Sequence, residues 1–424
     1  MMRSIRVRLG ASLGALALVS AACGGGAAEV EFTPGDLGAV EVGPGEAIQI
    51  RSLNALTGDP ASLGIPNDNA VRMAVDDYGE IKGHAVDVGT SHDGLCSTEG
   101  GQAAAQTIAS DKSVVGVIGT TCSSAATAAS PAISKAGMVL ISPSNTSPAL
   151  TSDLKGKASE DYHEGYYRTA HNDLFQGRAA ANFVHGNLGL SKVALIHDGD
   201  PYTNGLTTAF EDAFVELGGE IVIHTAVGKE DTDMVPVLTE VASASPELIF
   251  LPVFVGAGTP LVQQVGGVAG LEDVVLMAAE GLAVDSFMEL PESLGMYLSG
   301  PDTRFAENTN EATNINGEQF LADYESEYGE PPSADFWGHA YDATTMLLRA
   351  IDNIAVEDGD TLHIDRRKLR DELTATEGFQ GLIGEIGCDD FGDCGAARIA
   401  IFEHTNLDDF QESKSNILYT YPEG

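Results

Sequence analysis

Two stretches rich in hydroxyl groups are the parts of this sequence best equipped for chemistry. They are Val117-Ile118-Gly119-Thr120-Thr121-Cys122-Ser123-Ser124 and Ile141-Ser142-Pro143-Ser144-Asn145-Thr146-Ser147-Pro148. In the first, Gly119 ends an apolar run and Ser123 or Ser124 is placed to cap the helix that follows. Hydroxyls beside free backbone N–H groups at a helix start suit a carboxylate. In the second, two prolines fix the loop and short polar side chains face one edge. No Gly-x-Ser-x-Gly elbow, His-Glu-x-x-His, phosphate-binding Walker loop or helix-opening Gly-x-Gly-x-x-Gly occurs, so the pattern points to binding and not to an enzyme.

The elements that must carry these stretches alternate in type. Apolar runs expected as strands are Ala47–Leu53, Ala85–Val88, Val114–Ile118, Met138–Ile141, Val193–Ile196, Glu220–His224, Leu248–Leu251 and Val274–Met277. Stretches of helical length lie between them: Asn67–Tyr78, Gly101–Ser110, Ser123–Lys135, Tyr202–Leu217, Met234–Ala244 and Pro260–Ala269. Such alternation predicts an α/β fold of parallel sheets with crossover helices. It comes in two sets divided near Tyr167–Asn172, so the expected architecture is two doubly wound parallel-sheet lobes. Helices Glu318–Tyr328 and Phe336–Ile354 and a strand Ala397–Phe402 follow, so the chain is expected to cross between lobes more than once. The expected division is 46–169 plus 301–385 for the first lobe and 170–300 plus 386–424 for the second. In open parallel sheets ligands bind beyond the carboxyl ends of the strands, which is where both hydroxyl-rich stretches fall.

Arg3, Arg6 and Arg8 precede an apolar run, Leu9–Val19, that is too short to span a membrane and reads as a secretory signal over residues 1–22. Ser20-Ala21-Ala22-Cys23 resembles the bacterial lipobox, which makes Cys23 the expected lipid-bearing residue and a membrane surface the expected location. Residues 23–45, rich in Gly, Ala, Glu and Pro, read as a flexible tether.

A formal net charge of −41, from 63 acidic and 22 basic residues, excludes nucleic acid as a partner. With Cys23 set aside, Cys96, Cys122, Cys388 and Cys394 form an even set suited to an oxidising compartment. Three pairings are formally possible; nearness in sequence favours Cys96–Cys122 and Cys388–Cys394. Asp389, Asp390 and Asp393 invite a calcium reading, but the loop is too short for the standard calcium loop and reads better as a pinned acidic hairpin. No metal or cofactor is expected, since His197, His339 and His404 show no ligand spacing.

The run from Thr121-Cys122-Ser123-Ser124 through Ser142-Pro143-Ser144-Asn145-Thr146 resembles the leucine/isoleucine/valine-binding proteins, which have the type I periplasmic-binding fold. Further pieces fit in that family's order: Leu56-Thr57-Gly58, Tyr167-Arg168-Thr169-Ala170, Phe175-Gln176-Gly177, Ala194-Leu195-Ile196-His197-Asp198 with Tyr202, and Ala279-Glu280-Gly281. The resemblance implies capture of an amino acid or similar small polar solute between two lobes for an ABC permease and its ATPase. It places Ser123, Ser144 and Thr146 on the ligand's α-carboxylate and ammonium, Glu280 opposite the ammonium, and Tyr202 as a closing aromatic. Leu63 and Phe254 stand where the family tends to have an aromatic and a tyrosine, which makes the implied pocket more apolar. Amides, urea and aromatic acids are alternative ligands, and a sensing subunit for a separate membrane receptor is an alternative role.

Overall fold

The computed structural model describes residues 32–422. The signal segment and Cys23 lie outside the described residues. Val114–Gly119 is buried at every position, as expected of a parallel strand covered on both faces. It lies in a six-stranded sheet. The spatial order is Val86–Asp87, Ile48–Asn54, Val114–Gly119, Val139–Ser142, Tyr166–Arg168, with His92–Asp93 also pairing with Ile48–Asn54, all parallel. Helices Ala61–Tyr78 and Trp337–Ile354 pack together on one face, and Thr98–Ser110 and Ser123–Lys135 on the other.

The second sheet has seven strands. Glu220–Ala226, Lys192–His197, Leu248–Phe250, Val275–Ala279 and Tyr297–Pro301 run parallel. Ile399–Glu403 and Ile417–Tyr421 then close that side antiparallel. The lobe is therefore a mixed sheet, more varied than the parallel one expected. Chain passages between lobes occur after Arg168, after Pro301 and after the Cys388–Cys394 loop. That loop pairs with the first sheet, Arg168 N–H donating to Gly392 O and Cys394 N–H to Arg168 O, so the third passage falls after it and not at 386.

Two local expectations are corrected. Ala39–Val42, inside the expected tether, pairs antiparallel with Thr361–Asp365 and buries Val40 and Val42. Its two-residue alternation is obscured by flanking Gly and Pro. The first helix begins at Ala61, six residues before the expected start at Asn67, because Gly64 and Pro66 disguise its opening turns. Gly64 is needed there: a Cβ would sit 2.0 Å from Ala55 O. Among the described residues no helix is long and apolar enough to cross a membrane.

Candidate binding site between the lobes

The first-lobe wall grows from the ends of two adjacent strands. Gly119 has φ +144, and a Cβ on it would meet Leu53 O at 1.9 Å, so only glycine lets the chain turn there. The residue capping the next helix is Cys122 and not a serine; its sulfur is bonded to Cys96 and no side chain caps the helix. The first-turn amides beside Ser123 are thus left without a side-chain partner at the wall of the cleft. Ser123 Oγ accepts from Ser147 N–H at 3.4 Å. Ser144 Oγ donates to Thr121 O at 3.1 Å and accepts from Asn67 Nδ2 at 3.2 Å.

The second-lobe wall is built likewise. Asp200 caps the helix Pro201–Glu216 by accepting from Tyr202 N–H at 3.0 Å, which fixes Tyr202 in its first turn. Asp198 accepts from Phe254 N–H at 3.0 Å and so sets the start of the helix Val255–Val265. The Tyr202 and Phe254 rings lie 5.5 Å apart. Glu280 opens a single 3-10 turn, Glu280–Leu282, directly after the strand Val275–Ala279.

These walls line a partly open cavity whose empty space, open solvent included, is about 340 Å³. Six residues singled out from the sequence, Leu63, Ser123, Ser144, Tyr202, Phe254 and Glu280, line it. Thr146 does not; it is buried behind the wall, its hydroxyl without a partner. Thr121, Cys122, Gly281 and Phe336 also line the cavity. Of these, Phe336 carried no signal in the sequence beyond its place at the start of a helix. Cys122, bonded to Cys96 behind it, forms part of the wall, and Cys388–Cys394 closes the acidic loop at the hinge.

Behind Glu280 lies a buried polar cluster. Gln176 Nε2 donates to Glu280 Oε2 at 2.5 Å and to Ser299 Oγ at 3.1 Å, while Gln176 Oε1 pairs with His171 Nε2. Asp173, wholly buried, has no hydrogen-bond partner on either oxygen. One ligand-capable atom from each of His171, Asp173 and Glu280 lies within 4.8 Å of the others. Gln176 engages both the imidazole and the Glu280 carboxyl, while Asp173 stands beside them without a hydrogen bond. Burial raises the Glu280 carboxyl, against the pull of Gln176 and Tyr202, and Asp335 raises it further. Burial and then the Glu280 charge push the Asp173 carboxyl well above its ordinary range. Burial drives the His171 imidazole down to about 4, so it is neutral. Among the described residues, Glu280 is the single acidic or basic side chain lining the cavity. Neither lining serine has an imidazole as hydrogen-bond partner, so no nucleophile and base are paired there.

Comparison with known proteins agrees with this arrangement. A model of the periplasmic binding protein family matches residues 47–395. The leucine-, isoleucine-, valine-, threonine- and alanine-binding protein of Pseudomonas aeruginosa is 24% identical over 366 residues, covering 84% of this chain and 90% of that one. The chain spans about half the length of the first curated relatives it matches. Among solved structures, the branched-chain amino acid transporter substrate binding protein of Streptococcus pneumoniae, in complex with isoleucine, aligns with a TM-score of 0.70 at 22% identity, over 88% of this chain and 98% of that one. An ABC transporter solute binding protein of R. palustris, in complex with benzoate, also gives 0.70, at 18% identity, over 88% and 96%. At these identities the structural matches speak for the fold. The family match, which spans both lobes and the cavity between them, decides the wider question: the chain belongs to the periplasmic binding protein family.

Proposed function

We infer that this protein captures an amino acid between its lobes and presents it to an ABC importer, without catalysing a reaction. The observation that carries the reading is Glu280, a buried carboxyl facing a cavity whose opposite wall holds Ser123, Ser144 and the uncapped start of a helix. A zwitterion satisfies both sides at once: its carboxylate meets hydroxyl and amide donors, and its ammonium meets Glu280. Leu63, Phe254 and Phe336 form apolar walls that suit an aliphatic or aromatic side chain. The names of the relatives support amino acids as the class. Cys23 is the proposed lipid attachment point, which would hold the exported protein at the outer face of the cell membrane or in the periplasm.

An aromatic carboxylate is the second reading, favoured by the same apolar walls and by the benzoate complex of the R. palustris protein. It leaves Glu280 without a cation. A thermal-shift screen of the protein beginning after Cys23, against amino acids, amides, urea and aromatic acids, separates the two. Stabilisation by one amino-acid class supports the first reading; stabilisation only by ligands lacking an ammonium overturns it.

A further inference from the structure

Asp173 stands behind the cavity wall, wholly buried, and has no place in the ligand contacts described so far. It sits where the chain first crosses between lobes, with its N–H donating to Thr146 O at 2.9 Å and both carboxyl oxygens buried without a partner. One of its oxygens lies within 4.8 Å of a Glu280 oxygen. Two ionised carboxylates buried that close repel, and such pairs keep a proton unless a cation separates them.

The Arg168 charge and the Thr146 hydroxyl draw the Asp173 carboxyl down, less strongly than burial and the Glu280 charge push it up. Arg168, on the adjoining strand, spends its guanidinium on Asp393, on the carbonyls of Asn145 and Ser147, and on the Thr151 hydroxyl. From the crossing segment, His171 is engaged by Gln176 and held neutral by burial. From the second lobe comes the Tyr202 hydroxyl, which is uncharged. From the segment ahead of the helix Trp337–Ile354 comes Asp335, already paired with Lys414, and from the first turn of that helix His339, neutral through burial. Every neighbour is therefore negative, neutral or committed elsewhere.

We propose that Asp173 and Glu280 share one proton in the empty closed cleft and that the ligand's ammonium takes the place of that proton. Capture then breaks one carboxylic O–H bond, releases its proton to solvent, and leaves the ammonium donating to two carboxylates. Asp173 is thereby a specificity-determining residue: it doubles the demand for positive charge and penalises any ligand that brings none. This rests on the amino-acid reading above. The sign follows from competition with the proton. The empty closed cleft is favoured at low pH, where the pair is protonated, so amino-acid affinity rises with pH and levels off once the pair would lose its proton unaided.

The test is calorimetry with L-leucine, L-isoleucine, L-valine, L-threonine and L-alanine in phosphate and in Tris, whose protonation heats differ. Release of about one proton per ligand, with affinity rising up to about tenfold per pH unit below the plateau, is expected of the unaltered protein. Asp173→Asn and Glu280→Gln should each abolish the release. Binding without proton release, or undiminished release in both variants, overturns the proposal. If none of the five amino acids binds, the ligand reading has failed on its own. The pair is then read in the ligand-free protein by infrared spectroscopy at neutral pH: a carboxylic-acid band that Asp173→Asn removes upholds the shared proton, and its absence from the unaltered protein overturns it.

Discussion

Arg168 and Asp393 form an ion pair at 2.6 Å, with the arginine side chain wholly buried. The same guanidinium donates to Asn145 O at 3.1 Å and to Ser147 O at 2.8 Å. One residue thus ties the disulfide-closed loop at the hinge to the loop that carries Ser144. In the sequence, Asp393 read as one of three solvated acids on a hairpin. The fold makes it the counter-ion of the largest fully buried side chain. Asp389 accepts from Phe391 and Asp393 N–H groups, both at 2.9 Å, and shapes the same loop.

Asp393→Ala leaves the Arg168 charge buried without its carboxylate. Breaking a buried pair from one side costs about 3–5 kcal/mol. Urea unfolding should show a loss of that order, and ligand affinity should fall with it because the Ser144 loop loses its anchor. Unchanged stability would mean that Arg168 finds compensation in its carbonyl partners alone.

Removing the Cys388–Cys394 bridge should cost less. The separation of 6 residues closes a short loop, worth roughly 2 kcal/mol by chain entropy. A Cys388→Ser, Cys394→Ser double variant should melt lower yet still bind ligand, as judged by thermal shift with and without the amino acid.

Glu280→Gln should keep the fold, since the new amide oxygen can still accept from Gln176. Amino-acid affinity should drop by about 2 kcal/mol, roughly thirtyfold, through loss of a charge-assisted contact. Ser123→Ala should cost less, because the neighbouring backbone N–H groups remain. Calorimetry on both variants checks the order.

Lys414, on the second-lobe helix Phe410–Ser415, pairs with Asp335, which precedes the first-lobe helix Trp337–Ile354. Both side chains are 11% exposed, so the pair is a contact made across closed lobes. Lys414→Met should shift the population toward the open form and weaken ligand binding several-fold without altering any lining residue. Small-angle scattering should show a larger radius of gyration in the variant, and saturating ligand should restore the compact value.

Asp342 offers a pH test away from the cleft. It accepts from Leu382 and Ile383 N–H and from Asn310 Nδ2, each at 2.8 Å. Burial nevertheless pushes its carboxyl up to about 7. A raised folded-state value means that its contribution is fully present below the unfolded carboxyl's range and is lost as pH rises through about 7. Asp342→Asn should lower stability by about 1–3 kcal/mol, since its amide cannot accept from all three donors. It should also flatten the fall in stability between acid and neutral pH. Urea melts across that range read both effects.

Much of the fold was legible because it is written in local patterns. Val114–Gly119 and the helix Ser123–Lys135 announce themselves through an unbroken apolar run and a helical stretch between clear breakers. Ala39–Val42 was missed because four residues between Gly and Pro carry too little pattern, and only Thr361–Asp365, far along the chain, makes them a strand. The early start of the helix at Ala61 was missed for the opposite reason. Gly64 and Pro66 carry strong local meaning that a close backbone approach to Ala55 overrides.

The sequence by itself determined the two-lobed α/β class through its alternation of elements and the disulfide pairs through nearness along the chain, and its resemblance to a known family pointed to six residues of the cavity wall. Tertiary structure alone decided that Phe336 reaches the cavity, that Thr146 stands behind its wall, that Asp393 answers Arg168, and that Asp173 meets Glu280. Those four relationships join residues from different lobes or different chain passages. Their distances are set by how the lobes close, and whether a carboxyl is solvated or buried beside another is settled only then. Local sequence carries no record of that dielectric.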